Sequence, residues 1–190
     1  MKTILKITIF TLLSSISLQS FADFSTDVST FYYSDSLSYS GTTTTSSRMF
    51  YSASINLALD KDRRYSLGWS ILGLTAPDKE TVNKTYSASD MGFRFAWNIT
   101  KAGTVNFAFT YNLKASATYS PAGTPETLRG TSLFIELGYL SPITEDLLAG
   151  IKINYYVPTF TESLVGSNTY SVVTDKRAMI FPTLAASWRF

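Results

Sequence analysis

Beyond residue 22, apolar and polar positions alternate with a period of two through most of the chain, the signature of strands whose two faces meet different surroundings. The longest stretch sets Val105, Phe107, Phe109, Tyr111, Leu113, Ala115, Ala117 and Tyr119 against Asn106, Ala108, Thr110, Asn112, Lys114, Ser116, Thr118 and Ser120. Met91, Phe93, Phe95 and Trp97 alternate with Asp90, Gly92, Arg94, Ala96 and Asn98, and Ile151, Ile153, Tyr155 and Val157 with Gly150, Lys152, Asn154 and Tyr156. Phe31, Tyr32 and Tyr33 are adjacent, which leaves the register of the first strand open. The pattern predicts eight strands, over residues 25–38, 48–60, 65–75, 86–100, 105–120, 131–141, 147–161 and 177–190. Turn-forming clusters at 41–47, 61–64, 76–84, 101–104, 121–130, 142–146 and 162–176 separate them, and no segment carries a helical period.

The second, fourth and sixth connections are short, whereas the odd ones are longer and the last is the longest. With eight antiparallel strands, the termini and short turns then share one end and the long connections the other, as in membrane barrels. The polar faces are mostly Ser, Thr, Asn, Gly and Ala. A water-facing sheet needs a denser covering of charge, so these faces read as a crowded lumen. Trp69, Trp97, Trp188 and many Tyr and Phe lie on the apolar faces towards strand ends, where interfacial girdles form. The expected architecture is all-β: a closed antiparallel eight-stranded transmembrane β-barrel, apolar side outward.

The first 22 residues read as an export signal, with Lys2 and Lys6 as its basic region, an apolar run over 7–18 and Ser20-Phe21-Ala22 as a small-x-small cleavage site. The barrel domain is then 23–190. Removing both lysines leaves fourteen basic residues against fourteen acidic ones, so the formal charge of +2 belongs to the precursor. A neutral chain offers no basic stripe for nucleic acid. The absence of cysteine and histidine excludes disulfides, thiolate nucleophiles, Ser-His-Asp triads and His-ligated metal or haem, and no cofactor is expected.

The terminal segment Thr183-Leu184-Ala185-Ala186-Ser187-Trp188-Arg189-Phe190 resembles the C-terminal assembly signal of the small eight-stranded outer-membrane barrels, of the OmpX, OmpW and OmpA-barrel kind. Thr183 fits its polar position, Trp188 its penultimate aromatic and Phe190 its terminal aromatic, while Ala185 stands where the family has Gly. The resemblance implies a bacterial outer-membrane location, surrounding lipid as a partner, and recognition of the C-terminal strand by the barrel assembly machinery.

Registers counted from the short turns pair Asp90 with Lys114 and Glu136 with Lys152, giving a lumen row Asp90-Lys114-Glu136-Lys152 with Arg94 one inward position further along. In so narrow a barrel the row reads as structural ion pairing before it reads as a gate. Pro158 and Pro182 each remove a ladder donor, and on neighbouring rungs of the last hairpin they mark either a bulge or a lateral seam. The leading functional reading is a non-enzymatic barrel presenting four external loops to the surroundings. The alternative is a narrow pore or OmpW-like passage of small hydrophobic molecules. Lipid-modifying barrel enzymes of this size rely on a histidine, which this chain lacks.

Overall fold

The computed structural model describes residues 23–39, 42–77, 85–120, 125–166 and 169–190; the expected signal, 1–22, lies outside them. Nine strands form in chain order: β1 (Phe24–Tyr39), β2 (Thr42–Ala58), β3 (Tyr65–Pro77), β4 (Thr85–Asn98), β5 (Val105–Ser120), β6 (Glu126–Pro142), β7 (Leu147–Val165), β8 (Ser171–Lys176) and β9 (Met179–Arg189). Each pairs antiparallel with the next as far as β7, and β1 pairs with β9 to close the ring. β8 pairs with the outer half of β7 and β9 with its inner half, so together they form the eighth stave of the barrel.

The last hairpin and the first are longer than the sequence pattern indicates. That pattern places loops at 162–176 and 41–47, yet β7 runs to Val165, β8 starts at Ser171 and β2 starts at Thr42. Ser and Thr tracts carry no apolar period, but they pair in β1–β2 register without interruption. The eighth stave breaks at Arg177 and Ala178 for a reason visible in β7. The N–H of Arg177 donates to the carbonyl of Pro158 at 3.2 Å, and the return bond of that rung is missing because proline has no N–H.

Every stave turns an apolar residue outward. Val28, Ile55, Leu67, Phe93, Phe109, Leu137, Ile151 and Leu184 are each between 39% and 67% exposed, which identifies an apolar belt facing lipid. At the strand ends beside the short turns, outward Tyr65 stacks with Phe95 and Trp97, and Trp188 with Phe190. These aromatic groups suit the interfacial level, where one side of the ring is wet.

Two bulges reset the inward–outward alternation. In β5 an extra residue interrupts pairing to both neighbours: Gly92 faces Asn112, but Met91 faces Lys114. A Cβ on Gly92 would run into the carbonyl oxygen of Tyr111, so the close backbone approach at this bulge requires glycine. In β7 an extra residue, Thr161, falls between Phe160 opposite Gly130 and Glu162 opposite Arg129, and a Cβ on Gly130 would meet the Thr159 carbonyl oxygen in the same way. Beyond the first bulge Ala115, Ala117 and Tyr119 turn inward and are buried, contrary to the uninterrupted alternation expected from sequence.

The lumen consequently has two storeys. Its inner half, near the termini and short turns, is lined by Ser, Thr, Asn and charged groups. Its outer half holds a cluster of Phe50, Leu72, Leu74, Tyr86, Tyr119, Phe134, Tyr156 and Phe160, among others. The sequence pattern predicts a uniformly polar lumen; its outer half is apolar because Phe50, Leu72, Leu74, Tyr86, Phe134, Tyr156 and Phe160 occupy inward positions of their strands, to which the β5 bulge adds Ala115, Ala117 and Tyr119.

Candidate functional site: a charged floor beneath an open apolar cup

Asp27, Arg94, Glu136 and Lys152 form the floor. They come from β1, β4, β6 and β7 and reach across the lumen. Arg94 Nη2 lies 3.1 Å from Asp27 Oδ2, Arg94 Nη1 pairs with Glu136 Oε2, and Lys152 Nζ lies 2.9 Å from Glu136 Oε1. Asn56 Nδ2 also donates to Asp27 Oδ2, at 3.1 Å. Two cations and two carboxylates make the group formally neutral, and mutual pairing is what permits charges in so confined a space.

This arrangement departs from the expected row at two members, Lys114 and Asp90, and adds Asp27. Lys114 is exposed on the outer face beside Leu113, because the β5 bulge turns it away from the lumen, and Asp90 stands opposite Ala115. Asp90 instead accepts from Ser132 Oγ at 2.5 Å and from the Tyr156 hydroxyl at 2.6 Å, just above the floor. Glu136 and Lys152 meet diagonally, since Glu136 stands opposite Asn154. Asp27 is missed by sequence reasoning because the register of the first strand is open there; with Phe31 and Tyr33 directed inward, Asp27 follows by parity.

Below the floor, Arg63 Nε bonds Asp23 Oδ2 at 3.0 Å, and this hydrogen bond holds the Asp23 carboxyl below its ordinary pKa. Arg63 Nη2 also donates to the Phe190 carbonyl at 3.3 Å, tying the first short turn to both chain ends of the barrel. Of the proposed assembly-signal residues, Thr183 and Ala185 face inward and are buried, and Thr183 Oγ1 accepts from Asn154 Nδ2 at 2.9 Å. Trp188 and Phe190 face outward and stack.

Above the floor the wall is open on one side. β1 and β9 pair only from Ser25 with Arg189 to Thr30 with Leu184. Hydrogen-bonded rungs here fall on even residues of β1, as the bond from Phe190 N to Phe24 O establishes, so the next would join Tyr32 to Pro182. Pro182 has no N–H to give, and the ladder ends. The two prolines therefore lie at different joints: Pro158 between the seventh and eighth staves, Pro182 between the eighth and the first. They are also not on neighbouring rungs, since Pro182 stands opposite Ile153.

A cavity of about 660 Å³ occupies the outer lumen beside this gap. Inward-facing Phe31, Leu74, Met179 and Phe181 line it, and so do Ile180 and Pro182, which belong to the outer face of the same strand. Past Thr30 no described residue of β8 or β9 pairs with β1, and β8 pairs with β7 alone. The cup thus opens sideways between β1 and the β8–β9 stave. Among the described residues no cluster of Asp and Glu has the size of a metal site.

No protein-family model matches the sequence, and no curated protein matches it. Among solved structures the chain is similar to Ail, the attachment invasion locus protein of Yersinia pestis, with a TM-score of 0.50 and 12% identity, covering 90% of this chain and 100% of that one. Neisserial surface protein A gives a TM-score of 0.48 and 12% identity over 88% of this chain and 97% of the other. The fold is that of the small eight-stranded outer-membrane β-barrels, the kind that the C-terminal segment resembles.

Proposed function

We propose that this protein is a non-enzymatic barrel of the bacterial outer membrane whose outer lumen takes up small hydrophobic molecules and exchanges them sideways with the lipid. The observation that carries this reading is the cavity of about 660 Å³ lined by the β8–β9 stave, next to an unpaired stretch of β1. The volume falls within the range of small-ligand sites, and the lining is mostly apolar with a few polar groups, as such sites require. The floor of paired charges reaches across the inner lumen, which favours a lateral exit over a continuous pore. The reading of the protein as a presenter of external loops rests on tips at 40–41, 78–84, 121–124 and 167–168, which lie outside the described residues.

The test is nuclear magnetic resonance of methionine-methyl-labelled protein in lipid nanodiscs, titrated with decanol. Met179 lines the cup, while Met49 and Met91 face outward and report simple partition into lipid. A saturable shift at Met179, absent at the other two, is the expected result; parallel, unsaturable shifts at all three would overturn the reading.

The C-terminal strand has its own part in the proposal. Trp188 and Phe190, outward at the last rungs, are the groups that the assembly machinery would engage. Deletion of Phe190 is expected to lower yield in cells more than it lowers refolding in detergent, and equal losses would return it to an ordinary girdle residue.

A further inference from the structure

The cup changes character from its foot to its mouth. Towards the foot lie Phe31, Leu74 and Phe181. One inward step above Phe50 stands Arg48, opposite Tyr33, and one inward step above Met179 stands Arg177; both arginines line the cavity. The Arg177 guanidinium is held over two aromatic rings, 4.9 Å from the centroid of Tyr86 and 4.8 Å from that of Tyr119. Its Nε lies 3.8 Å from Asp175 Oδ2, which the Tyr119 hydroxyl also approaches at 3.5 Å. Lys176 is a third cation at the same mouth, on the outer side of the stave, and among the described residues lining the cavity Asp175 is the one carboxylate.

We propose that the ligand is an anionic single-chain amphiphile of the carboxylate class, its head at Arg48 and Arg177 and its chain among Phe31, Leu74, Met179 and Phe181. The proposal rests on the reading of the cup as a ligand site and adds the chemistry of the ligand. A neutral apolar molecule gains nothing from guanidinium groups at the mouth, whereas a carboxylate accepts charge-assisted hydrogen bonds from them. A guanidinium held over two aromatic rings is restrained in place, so the head is met by a donor already positioned. The open seam beside Pro182 lets the chain lie partly in the cup and partly in lipid, which suits an amphiphile longer than the cavity.

The same methyl-labelled protein, in nanodiscs of zwitterionic phosphatidylcholine, distinguishes the possibilities when titrated with decanoate, decanol and decyltrimethylammonium. Decanoate is expected to saturate the Met179 shift at a concentration at least tenfold below decanol, and Arg48→Gln and Arg177→Gln are each expected to shrink that difference. Arg48→Gln serves as the second variant should Arg177→Gln disturb the packing of Tyr86 and Tyr119. If decanol saturates Met179 and decanoate does no better, the head-group inference falls and the cup stands. If neither saturates, both fall. Tighter binding of the ammonium would overturn the charge assignment. A Met179 shift produced by adding phosphatidylglycerol to the nanodisc, with no decanoate present, would assign the site to a two-chain lipid instead.

Discussion

Pro182 occupies the position opposite Tyr32 where the barrel's closing ladder would take its next hydrogen-bonded rung, and it has no N–H to donate to the Tyr32 carbonyl. Closure therefore stops at Thr30 and Leu184 while β1 continues to Tyr39 along β2. A closed barrel normally satisfies every backbone group within its wall. Here one joint is left open over its outer part, directly beside the large apolar cavity of the outer lumen.

The open joint has a residue-by-residue signature in amide exchange. Even residues of β1 direct their N–H towards β9, and odd residues towards β2. The amides of Tyr32 and Ser34 are expected to exchange much faster than those of Thr26 and Val28, while Phe31 and Tyr33 stay protected by β2. Hydrogen exchange read by nuclear magnetic resonance checks the alternation. Uniform protection from Thr26 to Ser34 would mean that the joint is closed.

The floor is expected to behave as one coupled group. Glu136→Ala leaves Arg94 and Lys152 without their shared carboxylate and is expected to cost about 3 to 5 kcal/mol, the penalty for a broken buried pair, and less where water reaches the site. Glu136→Gln combined with Lys152→Met should cost less than the sum of the two single changes. Urea unfolding in detergent measures both, and strict additivity would show that the residues are not coupled. Planar-bilayer recordings of the intact protein are expected to be silent.

The β5 bulge can be tested through the two residues that follow Leu113. Lys114→Leu places an apolar side chain on the outer face and is expected to leave stability unchanged or raise it. Ala115→Leu forces extra volume into a buried inward position and is expected to cost about 1 to 3 kcal/mol. Unfolding midpoints of the two variants give the comparison; the reverse order would restore the unbroken alternation.

The number of staves, their outer faces and the end that carries the short turns are legible in the sequence because each rests on period-two patterning repeated many times. Phe93, Phe95 and Trp97 face outward as the pattern indicates. What the pattern misses comes from single residues. One extra residue in β5 inverts everything after Leu113, and alternation has no means of announcing it; Gly92 is the available signal, since a glycine within a strand marks close backbone approach. The floor is half legible. Arg94, Glu136 and Lys152 fall on inward positions, but Asp27 depends on a register that three adjacent aromatic residues obscure. Both prolines are visible as lost donors, yet the joint each one faces follows only from the pairing on either side of its strand.

The central claim is that ligands enter the cup through the joint beside Pro182. Pro182→Val restores the missing N–H in a residue suited to strands and leaves the cavity's inward-facing lining in place. The decisive measurement is the rate at which decanoate reaches Met179, taken from methyl line shapes in nanodiscs containing wild type or Pro182→Val at equal folded protein. The account predicts slower loading in the variant, together with protection from exchange of the backbone amide that the substitution introduces. A protected new amide with an unchanged loading rate would contradict lateral access.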